Sequence, residues 1–184
     1  TQRGKATSIA KNKNNNRLRG REKAKKEAVN MYKKILVALD GSKLAECVLP
    51  HVQTLVQGCQ VRDVVFMRVV EPIKPVVSSE GMLTPQEAER ITESMVSEAE
   101  MYLKTLVQGL KYDGAGMKWE MKKGPVAQTL VDYATEHGVD LIVIATHGRS
   151  GVSRWVWGSV ADRVLRASCV PVLMVRAPGC VPGV

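Results

Sequence analysis

Ile35, Leu36, Val37, Ala38 and Leu39 form an unbroken apolar run, the pattern of a strand buried on both faces. Leu44, Val48, Val52, Leu55 and Val56 then recur at helical spacing over residues 43–57, with Pro50 inside the predicted helix and expected to kink it. A second apolar run, Val64 to Met67 with Val69 and Val70, predicts a second strand. Residues 71–83 are rich in proline and serine and read as a loop. Thr84, Pro85 and Glu87 have the form of a capping box with proline at the first helical position. The helix it opens is expected to bury Ile91, Met95, Ala99, Tyr102 and Leu106 and to end at Gly109. Met117, Trp119 and Met121 alternate with charged residues, which predicts a half-exposed strand at a sheet edge. A helix opened by Pro125 and closed by His137 and Gly138, a strand over 140–145, a helix from Ser159 and a strand over 170–175 complete the pattern.

Strict alternation of strand and helix predicts an α/β, doubly wound, five-stranded parallel sheet with helices on both faces. One internal reversal gives the strand order 3-2-1-4-5. Ligands of such sheets bind beyond the strand C-termini at the point of reversal. That point lies between the first and fourth strands, whose ends carry Asp40-Gly41-Ser42 and Ala145-Thr146-His147-Gly148.

Composition changes this picture little, and charge changes it at one end. The formal net charge is +9, but residues 1–30 hold ten of the basic residues and only Glu22 and Glu27 as acids. The remainder is nearly neutral. Residues 1–30 have almost no large apolar side chains and read as a disordered extension. The pattern restarts at Met31, so an inert extension is the preferred reading; a basic arm for nucleic acid or another anionic surface is the alternative. The folded domain is expected over 31–176, with a tail over 177–184. No segment reaches the apolar length of a membrane span or of a secretory signal. Cys47, Cys59, Cys169 and Cys180 lack metal-ligand spacing and read as buried, reduced cysteines of a cytoplasmic protein.

The segment after the fourth strand is a strand, a loop bearing glycine and serine, and a helix start. Gly148 and Gly158 permit close approach of backbone N–H groups to phosphate oxygens. The helix start near Ser159 adds unpaired donors and partial positive charge. Arg149 offers a cation and the Ser159 hydroxyl a donor. The plain alternative is a glycine-rich loop with Ser159 as N-cap, paired through Ser-x-x-Asp with Asp162. From the residues alone, both readings stand.

The stretch Ala145-x2-Gly148-x9-Gly158-Ser159 resembles the nucleotide-binding signature of the universal stress protein family, Gly-x2-Gly-x9-Gly-Ser/Thr. The resemblance extends to the segment from Met31 to Leu36 with Asp40, to Gly138-Val139-Asp140 and to the segment from Pro171 to Val175. It covers about residues 31–176. It implies an ATP-binding domain with Mg²⁺. Asp40 would contact the ribose or help hold the nucleotide-bound metal, and Val69 would line the adenine pocket. The backbone of Ala38 and Leu39 would also face adenine, His147 would lie at the crevice, and Gly148, Arg149, Gly158, Ser159 and Val160 would cradle ribose and phosphate. Two positions depart from the family: Ala145 replaces the first signature glycine, where its methyl could crowd the ligand, and Ala38-Leu39 stands where ATP-binding members often have Pro-Thr. The resemblance also implies a homodimer through the last strand, consistent with an apolar run over 170–175 at a sheet edge.

A triad of Ser150, His147 and Asp40 lacks the Gly-x-Ser-x-Gly elbow, and no Walker A, Gly-x-Gly-x-x-Gly or His-Glu-x-x-His motif occurs. His51 and His137 read as surface or capping residues. Trp155 and Trp157 read as loop anchors, with partner binding as the alternative. The eight aromatic residues form no basic–aromatic stripe for nucleic acid. Three functions are therefore carried forward: an ATP-binding stress-response or signalling module without dedicated catalysis, a nucleotide-free dimeric interaction module, and a slow ATPase or phosphotransferase.

Overall fold

The computed structural model describes residues 31–78, 81–146 and 158–176. Strand β1 (Lys34–Ala38) is followed by a 3₁₀ turn (Ala45–Val48), α1 (Leu49–Cys59), β2 (Asp63–Val70), β3 (Val76–Ser78), β4 (Gly81–Leu83) and α2 (Pro85–Gly109). Then come β5 (Gly116–Lys123), α3 (Val126–Glu136), β6 (Leu141–Ala145), α4 (Ser159–Ala167) and β7 (Val172–Val175). The main sheet is wholly parallel in the order β5-β2-β1-β6-β7. Counted along the sheet strands alone, that is the expected 3-2-1-4-5.

The period of two along β1 sorts its side chains onto two cores. Ile35, Val37 and Leu39 join Val48, Val52, Val56 and Leu103 on the side of α1 and α2. Leu36 and Ala38 join Leu130, Ala134 and Val164 on the side of α3 and α4. Helices on both faces are what a continuous apolar strand requires.

The local chemistry explains where elements begin. Thr84 Oγ1 accepts from Glu87 N (3.2 Å) and Glu87 Oε2 accepts from Thr84 N (2.9 Å), completing the capping box. That bonding with Thr84 holds the Glu87 carboxyl below its ordinary pKa. His137 caps the end of α3 and stacks on Tyr133, and Gly138 leaves with a φ of +60°, a conformation that favours glycine.

Four local expectations change. The segment 43–57 is not one kinked helix: the 3₁₀ turn ends at Val48 and α1 starts afresh at Leu49, with Pro50 in its first turn, where a missing N–H costs nothing. The loop over 71–83 contains the antiparallel pair β3–β4, in register Val76↔Leu83. In α2 the fully buried stripe is Ala88, Thr92, Ala99 and Leu103, while Ile91 is 41% exposed. Ile91 stands one residue, about 100°, round the helix from Thr92 and so falls off this stripe. Finally, Cys47 and Cys59 are half-buried and Cys169 is exposed, because it lies on the bend that leads into an edge strand. Cys180 and the segments 1–30 and 177–184 lie outside the described residues.

The two sheet edges differ. Strand β5 carries Lys118 and Lys122, both paired with Glu120 (3.1 and 3.7 Å). Along β7, Val172, Leu173 and Met174 are half-buried and no charge interrupts the strand.

Candidate functional site

The reversal between β1 and β6 forms the crevice. Register places Ala38 opposite Met67 on one side and Ile144 on the other. Two residues past these pairs, Asp40 and Thr146 leave β1 and β6 on either side of the reversal, and Val69 continues β2 beside them. Ala38 and Leu39 are buried, and Leu39 N donates to Met67 O (2.9 Å), so β1 remains paired up to the rim. Asp40 is half-buried. Its Oδ1 accepts from Ser42 N (2.8 Å) and Ser42 Oγ (2.7 Å). This local turn runs through Gly41 at φ +87°. Val69 is half-buried against the α3–α4 core.

On the other side of the reversal, Thr146 O accepts from Gly158 N (2.8 Å). The start of α4 is thereby tied to the end of β6. Gly158 is the N-cap residue, and among the described residues no side chain caps this helix. Ser159 is the first helical residue rather than the N-cap. The Ser-x-x-Asp cap is therefore not formed: Asp162 instead accepts twice from Arg166 Nε, both at 3.0 Å. The amide end of α4 keeps its partial positive charge beside the crevice. Val160 is half-buried in the α3–α4 core, and Ser159 is exposed. Ala145 is buried, within the core cluster that also holds Val143 and Val175.

The fold thus brings Ala38, Leu39, Asp40, Val69, Ala145, Gly158, Ser159 and Val160 to one end of the sheet. His147, Gly148, Arg149, Ser150, Trp155 and Trp157 lie outside the described residues. Pattern reading placed Thr146 at the crevice but not the part of its carbonyl, which joins strand to helix, and it missed Arg68, a buried cation on β2 at 4% exposure. The signal for Arg68 was present: a single charge within an otherwise apolar strand. Among the described residues, no group of three or more His, Cys, Asp or Glu side chains could hold a metal ion unaided, and no helix is long and apolar enough to cross a membrane.

A doubly wound sheet in this order, with its crevice at the β1/β6 reversal, defines the adenine nucleotide-binding α/β fold class. Residues 31–176 match the universal stress protein family, and the chain belongs to that family. It is 31% identical over 149 residues to universal stress protein MJ0531 of Methanocaldococcus jannaschii, covering 81% of this chain and 85% of that protein. Among solved structures it resembles MJ0577 of the same organism, with a TM-score of 0.67 and 25% identity over 81% of this chain and 99% of that one. It shares its fold with an Arabidopsis thaliana universal stress protein solved with AMP bound, at a TM-score of 0.55 and 14% identity over 80% of this chain and 93% of that one.

Proposed function

We propose that this protein binds ATP at the β1/β6 crevice and acts as a nucleotide-dependent module of stress response or signalling, without a dedicated chemical step. The observation that carries the reading is the bond from Gly158 N to Thr146 O. It ties the start of α4, which no side chain caps among the described residues, to the end of β6 at the sheet reversal, across from the Asp40 turn. Backbone donors and helix charge suit a polyphosphate, and a carboxylate at the rim of β1 suits a ribose hydroxyl or a magnesium ion carried by the phosphates. Asp40 alone is too few ligands for a free metal, which fits magnesium arriving with the nucleotide. Bound magnesium would neutralise phosphate charge. The residues that would hold the nucleotide are Ala38, Leu39, Asp40 and Val69 for the nucleoside, and Gly148, Arg149, Gly158, Ser159 and Val160 for ribose and phosphates, with His147 beside them. The nucleotide held by the Arabidopsis relative adds support.

Titration calorimetry with ATP and Mg²⁺ is expected to give micromolar affinity, worth about 8 kcal/mol. Absence of heat and of thermal shift at millimolar ATP would leave the nucleotide-free interaction module as the better reading. The three cysteines among the described residues are free, which supports a reducing compartment such as the cytoplasm.

The same reading includes a homodimer through β7. Its support is an edge strand of half-exposed Val172, Leu173 and Met174 without a protecting charge. Light scattering coupled to size exclusion is expected to give twice the chain mass, and Leu173→Asp to give a monomer. A parent monomer at tens of micromolar would refute the dimer, and an intact Leu173→Asp dimer would refute the interface.

A further inference from the structure

Arg68 is the exception in the buried layer. Its register neighbour on β5 is Met121, and Val64, Phe66 and Val70 on the same strand face are at most 2% exposed. An arginine at 4% exposure among them is costly unless its charge is used. Two successive turns of α2 clamp it. Arg68 Nη2 donates to Glu98 Oε1 (3.2 Å), and its guanidinium carbon lies 5.8 Å from the centroid of the Tyr102 ring. Nη1 is buried and has no hydrogen-bond partner among the described residues. An arginine kept only to staple α2 to the sheet would be expected to use its donors fully.

Tyr102 carries the link onward. Its hydroxyl donates to Glu46 Oε1 (3.3 Å) in the 3₁₀ turn. Burial and the Glu46 charge push the Tyr102 pKa upward, which keeps that proton in place. Residue 45, next to Glu46, donates its amide to Ser42 Oγ (3.1 Å), and Ser42 Oγ donates to Asp40 Oδ1 (2.7 Å). A continuous chain of contacts therefore runs from β2 through α2 and the 3₁₀ turn to the acid at the crevice.

We propose that Arg68 is a positioning residue which, through Tyr102, Glu46 and the Ser42 turn, sets the direction in which Asp40 presents its carboxylate to nucleotide. The proposal rests on the reading that the crevice binds nucleotide. The alternative is a purely structural Arg68 that anchors α2, and a double-mutant cycle separates the two. ATP affinity is measured for the parent, Arg68→Met, Asp40→Asn and the double variant, with thermal melting to confirm folding. Arg68→Met is expected to weaken ATP about fivefold in the parent and less than twofold beside Asn at position 40. Tyr102→Phe keeps the ring under Arg68 and removes only the bond to Glu46. It is expected to show the same dependence on Asp40, and it serves as the test if Arg68→Met does not fold. Equal losses in both backgrounds would overturn the positioning role while leaving nucleotide binding intact, as would parent affinity in Tyr102→Phe. No ATP binding by the parent would overturn both readings together.

Discussion

Two aspartates bracket β1 and do opposite things. At the lower end, Asp140 reaches across more than a hundred residues: its Oδ2 accepts from the amides of Lys33 and Lys34, both at 2.8 Å. Around it, Asp140 N donates to Lys34 O (2.9 Å), Lys34 Nζ to His137 O (2.8 Å), and the amides of Arg62 and Asp63 to Lys33 O (2.9 and 3.0 Å). At the upper end, Asp40 Oδ1 bonds to Ser42, two residues along. The carboxylate at the lower end joins strands, whereas the one at the upper end shapes a turn beside a crevice. In a parallel sheet both ends offer unpaired backbone groups. This protein seals one with a long-range side chain and places the Asp40 turn and the start of α4 at the other. The first acid ties strands together, and the second stands at the end of the sheet where doubly wound folds bind ligands.

The largest effect that sharpens this contrast is expected at the upper end. On the proposed reading of the Gly148 to Ser159 stretch as a phosphate cradle, Gly148→Val should weaken ATP binding by at least about 100-fold, because a branched side chain is incompatible with close backbone approach to phosphate. Its melting temperature should stay within about 2 °C of the parent. Parent affinity in the folded variant would show that the cradle lies elsewhere. At the lower end, Asp140→Ala removes two hydrogen bonds to a carboxylate and should cost about 3 kcal/mol, or about 6–12 °C in melting temperature. Its ATP affinity should remain within about twofold of the parent. A large loss of affinity without a loss of stability would collapse the distinction between the ends. The smallest effect falls at the boundary between them. Ala145→Gly should cost about 1 kcal/mol of stability, since the methyl is buried in the core. It should change ATP affinity less than about twofold; a severalfold gain would mean that the methyl reaches the ligand after all.

The sheet was legible because its central strands are unmixed apolar runs and its flanking helices open on recognisable residues such as Thr84 and Pro125. What escaped was set by contacts rather than by pattern. Strands β3 and β4 are three residues each, too short for any period to register, and prolines surround them. The exposure of Ile91 depends on which face α2 turns to the sheet, and that face is centred on Ala88, Thr92, Ala99 and Leu103. Ser159 has the chemistry of an N-cap, but the bond from Gly158 to Thr146 places the cap one residue earlier. At the site, Asp40 and the start of α4 could be placed because strand order alone brings them together. The part of Thr146 could not be read, because it is played by a carbonyl that every residue has. Arg68 interrupts an apolar run, yet a period-two reading assigns no meaning to one charge.

The unequal edges of the sheet carry a consequence for growth. A parallel sheet with two receptive edges could add copies at both ends and extend without limit. Here Lys118 and Lys122 stand along β5, so that a further strand arriving there would meet fixed charge. Only β7 is free of them. If copies pair through β7 as proposed, that one receptive edge would be used up by the first pairing, and assembly would terminate at a single partner instead of propagating into a filament.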